Sequence, residues 1–285
     1  MKEQLLNRYE QGERDFSGLD LSGTDLRGAI LIGVNLSNAN LTGANLSRTF
    51  LTKTQLNGAM LHRVNLSFAK MGETRIADAD LTKANLSGAF LVKAKLPRAN
   101  LSGANLTGAN LRGANLWSAN LCSATLESTN LRESNLTGVN LNWANMYEAK
   151  LMAARLFGAH LTGVNLRRAY LSGIDLSGAD LNGVNFSEAK LNGANLEGAN
   201  LLATNFSRAL MRSIKLSGAD LVGANFTGAS LVRASFNWSK LCDANFSEAD
   251  LSEATFMGAN LEGVKLVNAI LPESTKLYFS FATVG

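Results

Sequence analysis

A five-residue rhythm runs through nearly the whole chain and leaves few folds open to it. From Phe16 to Leu271 every fifth position is a large apolar residue, 52 in succession: 41 Leu, 7 Phe, 3 Met and 1 Ile. Two positions earlier the residue is nearly always Ala, Thr, Ser or Val, and the position between is usually Asn or Asp. With the large residue called i, the unit reads small at i−2, Asn or Asp at i−1, apolar at i, polar at i+1 and often Gly at i+2. Ala104-Asn105-Leu106-Thr107-Gly108 is one such unit.

A period of five matches neither the 3.6 of a helix nor the 2 of a strand. Each unit must then be a short extended piece followed by a turn. Residues i and i−2 share parity, so both face one side of the extended piece, and i+2 supplies the turn. Units that close into a coil send every Leu toward an axis with the small residues packed beside it, which fills a narrow interior. Stacked coils pair through their backbones.

These residues resemble the pentapeptide-repeat family, whose motif reads A-(N/D)-L-x-x, and the likeness, of the cyanobacterial type, runs from residue 14 to 272. The resemblance implies an all-β fold, a right-handed quadrilateral β-helix. At four units per coil, 52 units give about thirteen coils, roughly 60 Å at the strand spacing. Residues 1–15, with Leu5, Leu6 and Tyr9, resemble the short helical cap that precedes such repeats. Residues 16–272 form the β-helix, read as one domain. Residues 273–285, with Leu277, Tyr278, Phe279 and Phe281, resemble a C-terminal plug. Four units per coil also place residues 20 apart in one column. Phe186, Phe206, Phe226 and Phe246 should therefore stack, with Phe236 and Phe256 stacked opposite.

Composition narrows the function. An apolar fraction of 46% is too high for a disordered tract. Two cysteines 120 positions apart, Cys122 and Cys242, make no disulfide framework and suit a reducing cytoplasm. The first residues carry no apolar core and no small-residue cleavage site, and no run of about 18 apolar residues could cross a membrane. Catalysis needs a pocket and converging groups, and a core filled by Leu and Ala offers neither. His62 and His160 fall on one side but about five coils apart, roughly 24 Å, too far to share a metal. The expectation is no enzyme, no cofactor, no metal and no small-molecule substrate.

Surfaces remain. Sorted by 20, one column at i−1 abandons Asn and Asp more than any other. It reads Ile30, Phe50, Lys70, Phe90, Asn110, Asn130, Lys150, Tyr170, Lys190, Leu210, Ser230 and Asp250. Ile30, Phe50, Lys70, Phe90, Lys150, Tyr170, Lys190 and Leu210 are the candidate partner-binding residues. The same wall carries Lys53, Lys70, Lys93, Arg112, Arg132, Lys150, Lys190, Arg212 and Arg233 against Glu73, Glu133, Asp250 and Glu253; nine minus four is +5, against +4 for the chain. Aromatic and basic residues side by side suit a protein-binding face, although single apolar side chains on a surface are ordinary. Trp117, Trp143, Tyr147 and Phe157 are secondary candidates on other columns.

The reading that follows is a regulatory, non-catalytic scaffold that contacts another protein, one with an acidic surface. Some proteins of the resembled family regulate differentiation or transport through protein contacts. Others protect DNA gyrase by imitating duplex DNA, which requires an acidic exterior and so disagrees in sign with this chain. Direct binding of nucleic acid or an anionic surface is the alternative use of the basic wall, weakened because its cations are sparse compared with phosphates. The oligomeric state stays open.

Overall fold

Residues 2–273 are described in the computed structural model of the chain. The chain opens with α1, Lys2–Glu10. Beyond it the backbone forms single-residue parallel bridges rather than continuous strands, each joining i−1 positions 20 residues apart, as in Asn85↔Asn105 or Asn205↔Asn225. Twenty residues are four five-residue units, so one coil holds four units. The contacts group the chain into two compact units, described separately: unit 1 is Met1–Asn145 with Ala154–Ala159, and unit 2 is Met146–Ala153 with His160 onward.

The pentad closes because most of its backbone N–H groups find an acceptor, which buried or half-buried amides require. In unit 1, Leu101 donates to Asn120 O of the next coil (2.7 Å), and Gly103 donates to Cys122 O (2.9 Å). Ala104 closes the turn on Leu101 O (3.0 Å), and Asn105 donates back to Ala84 O (2.9 Å). Only the i+1 amide lacks a main-chain partner, and the side chain at i−1 answers it: Ser102 N donates to Asn100 Oδ1 at 3.2 Å. The same Asn side chains also ladder between coils, Asn120 Nδ2 donating to Asn100 Oδ1 at 3.1 Å. The motif's Asn or Asp is thus the acceptor that the main chain cannot supply.

Position i+2 has positive φ throughout, as the third residue of a type II turn demands. Twenty-eight non-glycine residues hold it, at φ from 51° to 62°, Trp143 and Trp238 among them. A side chain there costs about 1 kcal/mol, so the stacked coils, and not glycine alone, impose the turn.

The core is built as the parity rule expects. Residues i and i−2 are buried through most of both units, and the hydroxyls among them are satisfied: Thr54 Oγ1 donates to Leu31 O (2.8 Å) and Thr204 Oγ1 to Leu181 O (3.0 Å). In unit 2 the phenylalanines stack in one column, with centroids 5.2 Å (Phe186–Phe206), 5.1 Å (Phe206–Phe226) and 4.6 Å (Phe226–Phe246) apart. Phe236 and Phe256 stack at 5.0 Å, and Phe236 meets Phe226 edge-on at 5.8 Å.

In unit 1, α1 buries Leu5 and half-buries Leu6 and Tyr9. The Arg8 guanidinium lies 5.1 Å from the ring of Phe16 and pairs with Glu13, while Arg14 lies 3.9 Å from the ring of Tyr9. These contacts place the helix against the first coil. The expected C-terminal plug lies, from residue 274 on, outside the described residues.

Candidate interaction surface

The divergent column is best understood from what its positions ordinarily do. An i−1 residue sits at the bridge, outward-facing, with its side chain curled over the i+1 amide. Ile, Phe, Tyr and Leu have no acceptor, and Lys has none when charged. In unit 1, Ile30↔Phe50, Phe50↔Lys70 and Lys70↔Phe90 are consecutive bridges, so the four candidates there form one vertical file. Among the described residues no side-chain oxygen reaches the amides of Ile32, Thr52, Gly72 or Val92, the i+1 positions of this file. The side chains instead turn outward: Ile30 is 54%, Phe50 43% and Phe90 41% exposed. Lys70 Nζ lies 5.9 Å from the Phe90 ring centre, within the range of a cation–π contact. Ile32 extends the apolar strip.

In unit 2, Lys150↔Tyr170, Tyr170↔Lys190 and Lys190↔Leu210 form a second file. Lys190 Nζ sits 4.3 Å from the Tyr170 ring centre. Leu210 is exposed, whereas Lys150 and Tyr170 are half-buried. Beside Leu210 the missing acceptor is replaced: Arg212 N donates to Asn192 Oδ1 at 2.9 Å. Ile270, exposed and bridged to Asp250, continues this file. It was not among the sequence candidates, although one further step of 20 reaches it.

Charge on this register is partly spent internally. In unit 1 Arg112 pairs with Glu133 (2.8 Å), and in unit 2 Arg233 pairs with Glu253 (2.7 Å). Arg233 holds the Glu253 carboxyl below the ordinary glutamate range by hydrogen bonding.

The wall next in sequence also departs from the motif in unit 1, which the sequence reading passed over. Its i−1 file runs Asp15, Asn35, Gln55, Arg75, Lys95, Asn115 and Asn135, with Gln55↔Arg75 and Arg75↔Lys95 bridged directly. Together with Lys53, Glu73 and Lys93 at the preceding turns, Gln55, Arg75 and Lys95 line an open groove of about 430 Å³. Sorting by 20 would have found the file. The groove itself depends on how turn and bridge side chains lie across a corner.

The secondary aromatics are dispersed. In unit 1 Trp117 lies under Arg98 (5.7 Å), and Phe157 is 85% exposed. In unit 2 Tyr147 accepts a hydrogen bond from Arg168 (2.7 Å), and Arg168 also pairs with Glu188 (2.7 Å). Exposed Phe68 in unit 1 and Trp238 in unit 2 join them. Both cysteines are free and half-buried. Among the described residues no group of three or more His, Cys, Asp or Glu could hold a metal ion, and no helix is long and apolar enough to cross a membrane.

The description "pentapeptide repeats" matches this chain in eight copies between residues 15 and 271. None of the curated proteins matches. Among solved structures the chain is similar to HetL, a pentapeptide repeat protein involved in heterocyst differentiation regulation from the cyanobacterium Nostoc sp. strain PCC 7120. The identity is 29% over 95% of this chain and 97% of that one, with a TM-score of 0.38. It is similar also to QnrB1, a plasmid-mediated fluoroquinolone resistance protein, at 17% identity over 94% and 97%, TM-score 0.33. A pentapeptide repeat protein of the Arabidopsis thaliana thylakoid lumen is 31% identical over 40% of this chain and 77% of that one, TM-score 0.26.

Proposed function

We propose that this chain, which belongs to the pentapeptide-repeat family, works as a non-catalytic scaffold that binds another protein through its divergent i−1 files. These are Ile30, Phe50, Lys70 and Phe90 in unit 1, and Lys150, Tyr170, Lys190 and Leu210 in unit 2. One observation carries the reading. At i−1 an Asn or Asp completes the amide accounting of the turn, as Asn100 does for Ser102, and such a bond contributes about 0.5–1.5 kcal/mol. The unit 1 file gives up four of these bonds in succession and presents apolar and cationic side chains to solvent instead. These side chains lie outside the core, so internal packing does not account for them. Rings with neighbouring cations are the usual anchors of protein interfaces, the rings holding affinity and the charge steering approach.

The test is an affinity capture from the native lysate. Wild type is compared with a chain carrying Phe50→Ser, Phe90→Ser and Tyr170→Ser. The expected result is a discrete protein retained by the wild type and lost by the variant, with the fold kept by circular dichroism, since substitutions at the exposed Phe50 and Phe90 each stay within about 0.5 kcal/mol. Unchanged capture by the serine variant contradicts the proposal. Capture of nucleic acid in place of protein favours the basic-surface alternative.

A further inference from the structure

We propose that the corner groove of unit 1 formed by Lys53, Arg75, Lys93 and Lys95 is a docking site for an extended acidic peptide segment. The inference rests on the scaffold reading and specifies the chemistry of the partner and where it meets this chain.

The first argument is electrostatic. Four cations line the groove against one carboxylate, Glu73, and among the described residues none of the five is in an ion pair. Elsewhere this surface pairs its cations when acids are in reach, as in Arg98 with Asp78 and Arg167 with Glu188. Here like charges are set face to face. Arg75 and Lys95 are directly bridged partners on adjacent coils, an arrangement that destabilises a sheet and that a bound anion relieves.

The second argument is local structure. Gln55, Arg75 and Lys95 occupy three successive i−1 positions that the motif gives to Asn or Asp. The amide left without its acceptor after Arg75 is rescued from the coil before: Ala77 N donates to Asn57 Oδ1 at 3.0 Å. The turn is therefore kept while the side chain at 75 is released to face outward.

The third argument is shape and scale. The groove is open, about 430 Å³, and its cations span two coil steps, roughly 10 Å. An extended peptide places alternate side chains about 6.6 Å apart, so two carboxylates fit that span. A nucleic-acid strand needs a longer cationic track than two coil steps. The preceding wall carries the exposed Phe50 and Phe90, which gives the same segment apolar anchors beside its acids.

The experiment uses the full chain and fluorescein-labelled peptides of about ten residues. One alternates Glu with Leu; its control alternates Gln with Leu; a labelled single-stranded oligonucleotide is the third probe. Anisotropy titrations at low salt should show the Glu peptide binding about tenfold or more tighter than the Gln peptide. That preference should vanish in an Arg75→Gln, Lys95→Gln chain and shrink as salt rises. Should that pair fail to fold, judged by circular dichroism, Lys53→Gln with Lys93→Gln replaces it at the turn positions. Equal binding of the two peptides overturns the inference, as does an oligonucleotide that binds more tightly than the Glu peptide and is lost in the same variant. The two readings separate in the lysate capture. A partner lost with the serine variant but kept by the glutamine pair sinks the groove and leaves the scaffold standing. A partner kept by the serine variant, together with groove-dependent peptide binding, sinks the divergent file and leaves the groove.

Discussion

A single side chain in this fold answers to the coil above and below it more than to its chain neighbours. Gly88, at φ 62°, lies under the ring of Phe68 one coil earlier: a Cβ built on it would stand 2.5 Å from Phe68 Cε1. Gly108, at φ 65° in the next coil, has nothing within 4 Å. Both substitutions to Ala carry the strain of a left-handed side chain, about 1 kcal/mol. Only Gly88→Ala must also displace a ring. Urea denaturation should therefore show Gly88→Ala costing about 1 kcal/mol more than Gly108→Ala, with the excess removed in a Phe68→Ala background. Equal costs would mean that the Phe68 ring moves away freely. Aspartates at i−1 give a second readout. Hydrogen bonds hold three carboxyls below the ordinary aspartate range: the Ser17 hydroxyl foremost at Asp15, and the backbone amides of Ser22 and Arg27 at Asp20 and Asp25. A lowered folded value contributes stability that is present above the unfolded value and lost as pH falls through the folded one. Thermal midpoints of the wild type should thus fall below about pH 4 relative to an Asp15→Asn, Asp20→Asn, Asp25→Asn chain, whose amides accept the same bonds without titrating. The gap between the two should stay constant above about pH 5; a gap constant at every pH contradicts the argument.

At the scale of the element, the coil was largely legible before the structure. Parity put the large and small residues inside, and the 20-residue sort put Phe186, Phe206, Phe226 and Phe246 in one column, where their centroids lie about a coil step apart. Phe226 is the middle of that stack and also meets Phe236 edge-on. Phe226→Ala should cost about 3–5 kcal/mol of unit 2 stability in denaturant titration, and a cost under about 1 kcal/mol would show that the column repacks. What the period does not carry is how side chains lie once the turn has placed them. The ring of Phe68 over Gly88 and the groove between Lys53 and Lys95 depend on rotamers across a corner, about which spacing says nothing. The grouping into two units has no counterpart in the rhythm, which passes Asn145 and Ala159 without a slip.

For the molecule as a whole, the repeat settles the solenoid fold, and the proposed recognition falls to a minority of positions. A net charge of +4 over 285 residues is mild, and part of the basic surface is neutralised locally, as at Arg112–Glu133, Arg168–Glu188 and Arg233–Glu253. In the proposed function, specificity comes from where the motif is broken. The candidate file was visible in sequence because it departs from Asn and Asp more often than any other; what that costs the turn is seen only in the structure, where the i+1 amide depends on that side chain. The most direct measurement is calorimetric affinity for the captured partner across matched surface changes. Phe50→Ser with Phe90→Ser, in the divergent file, is set against Asn85→Ser with Asn105→Ser, in a file of unit 1 that keeps the motif. The account predicts that the first pair weakens binding by about 2 kcal/mol or more with folding intact, while the second costs some stability and leaves affinity unchanged. Unaltered affinity in the first pair, or an equal loss in both, would contradict it.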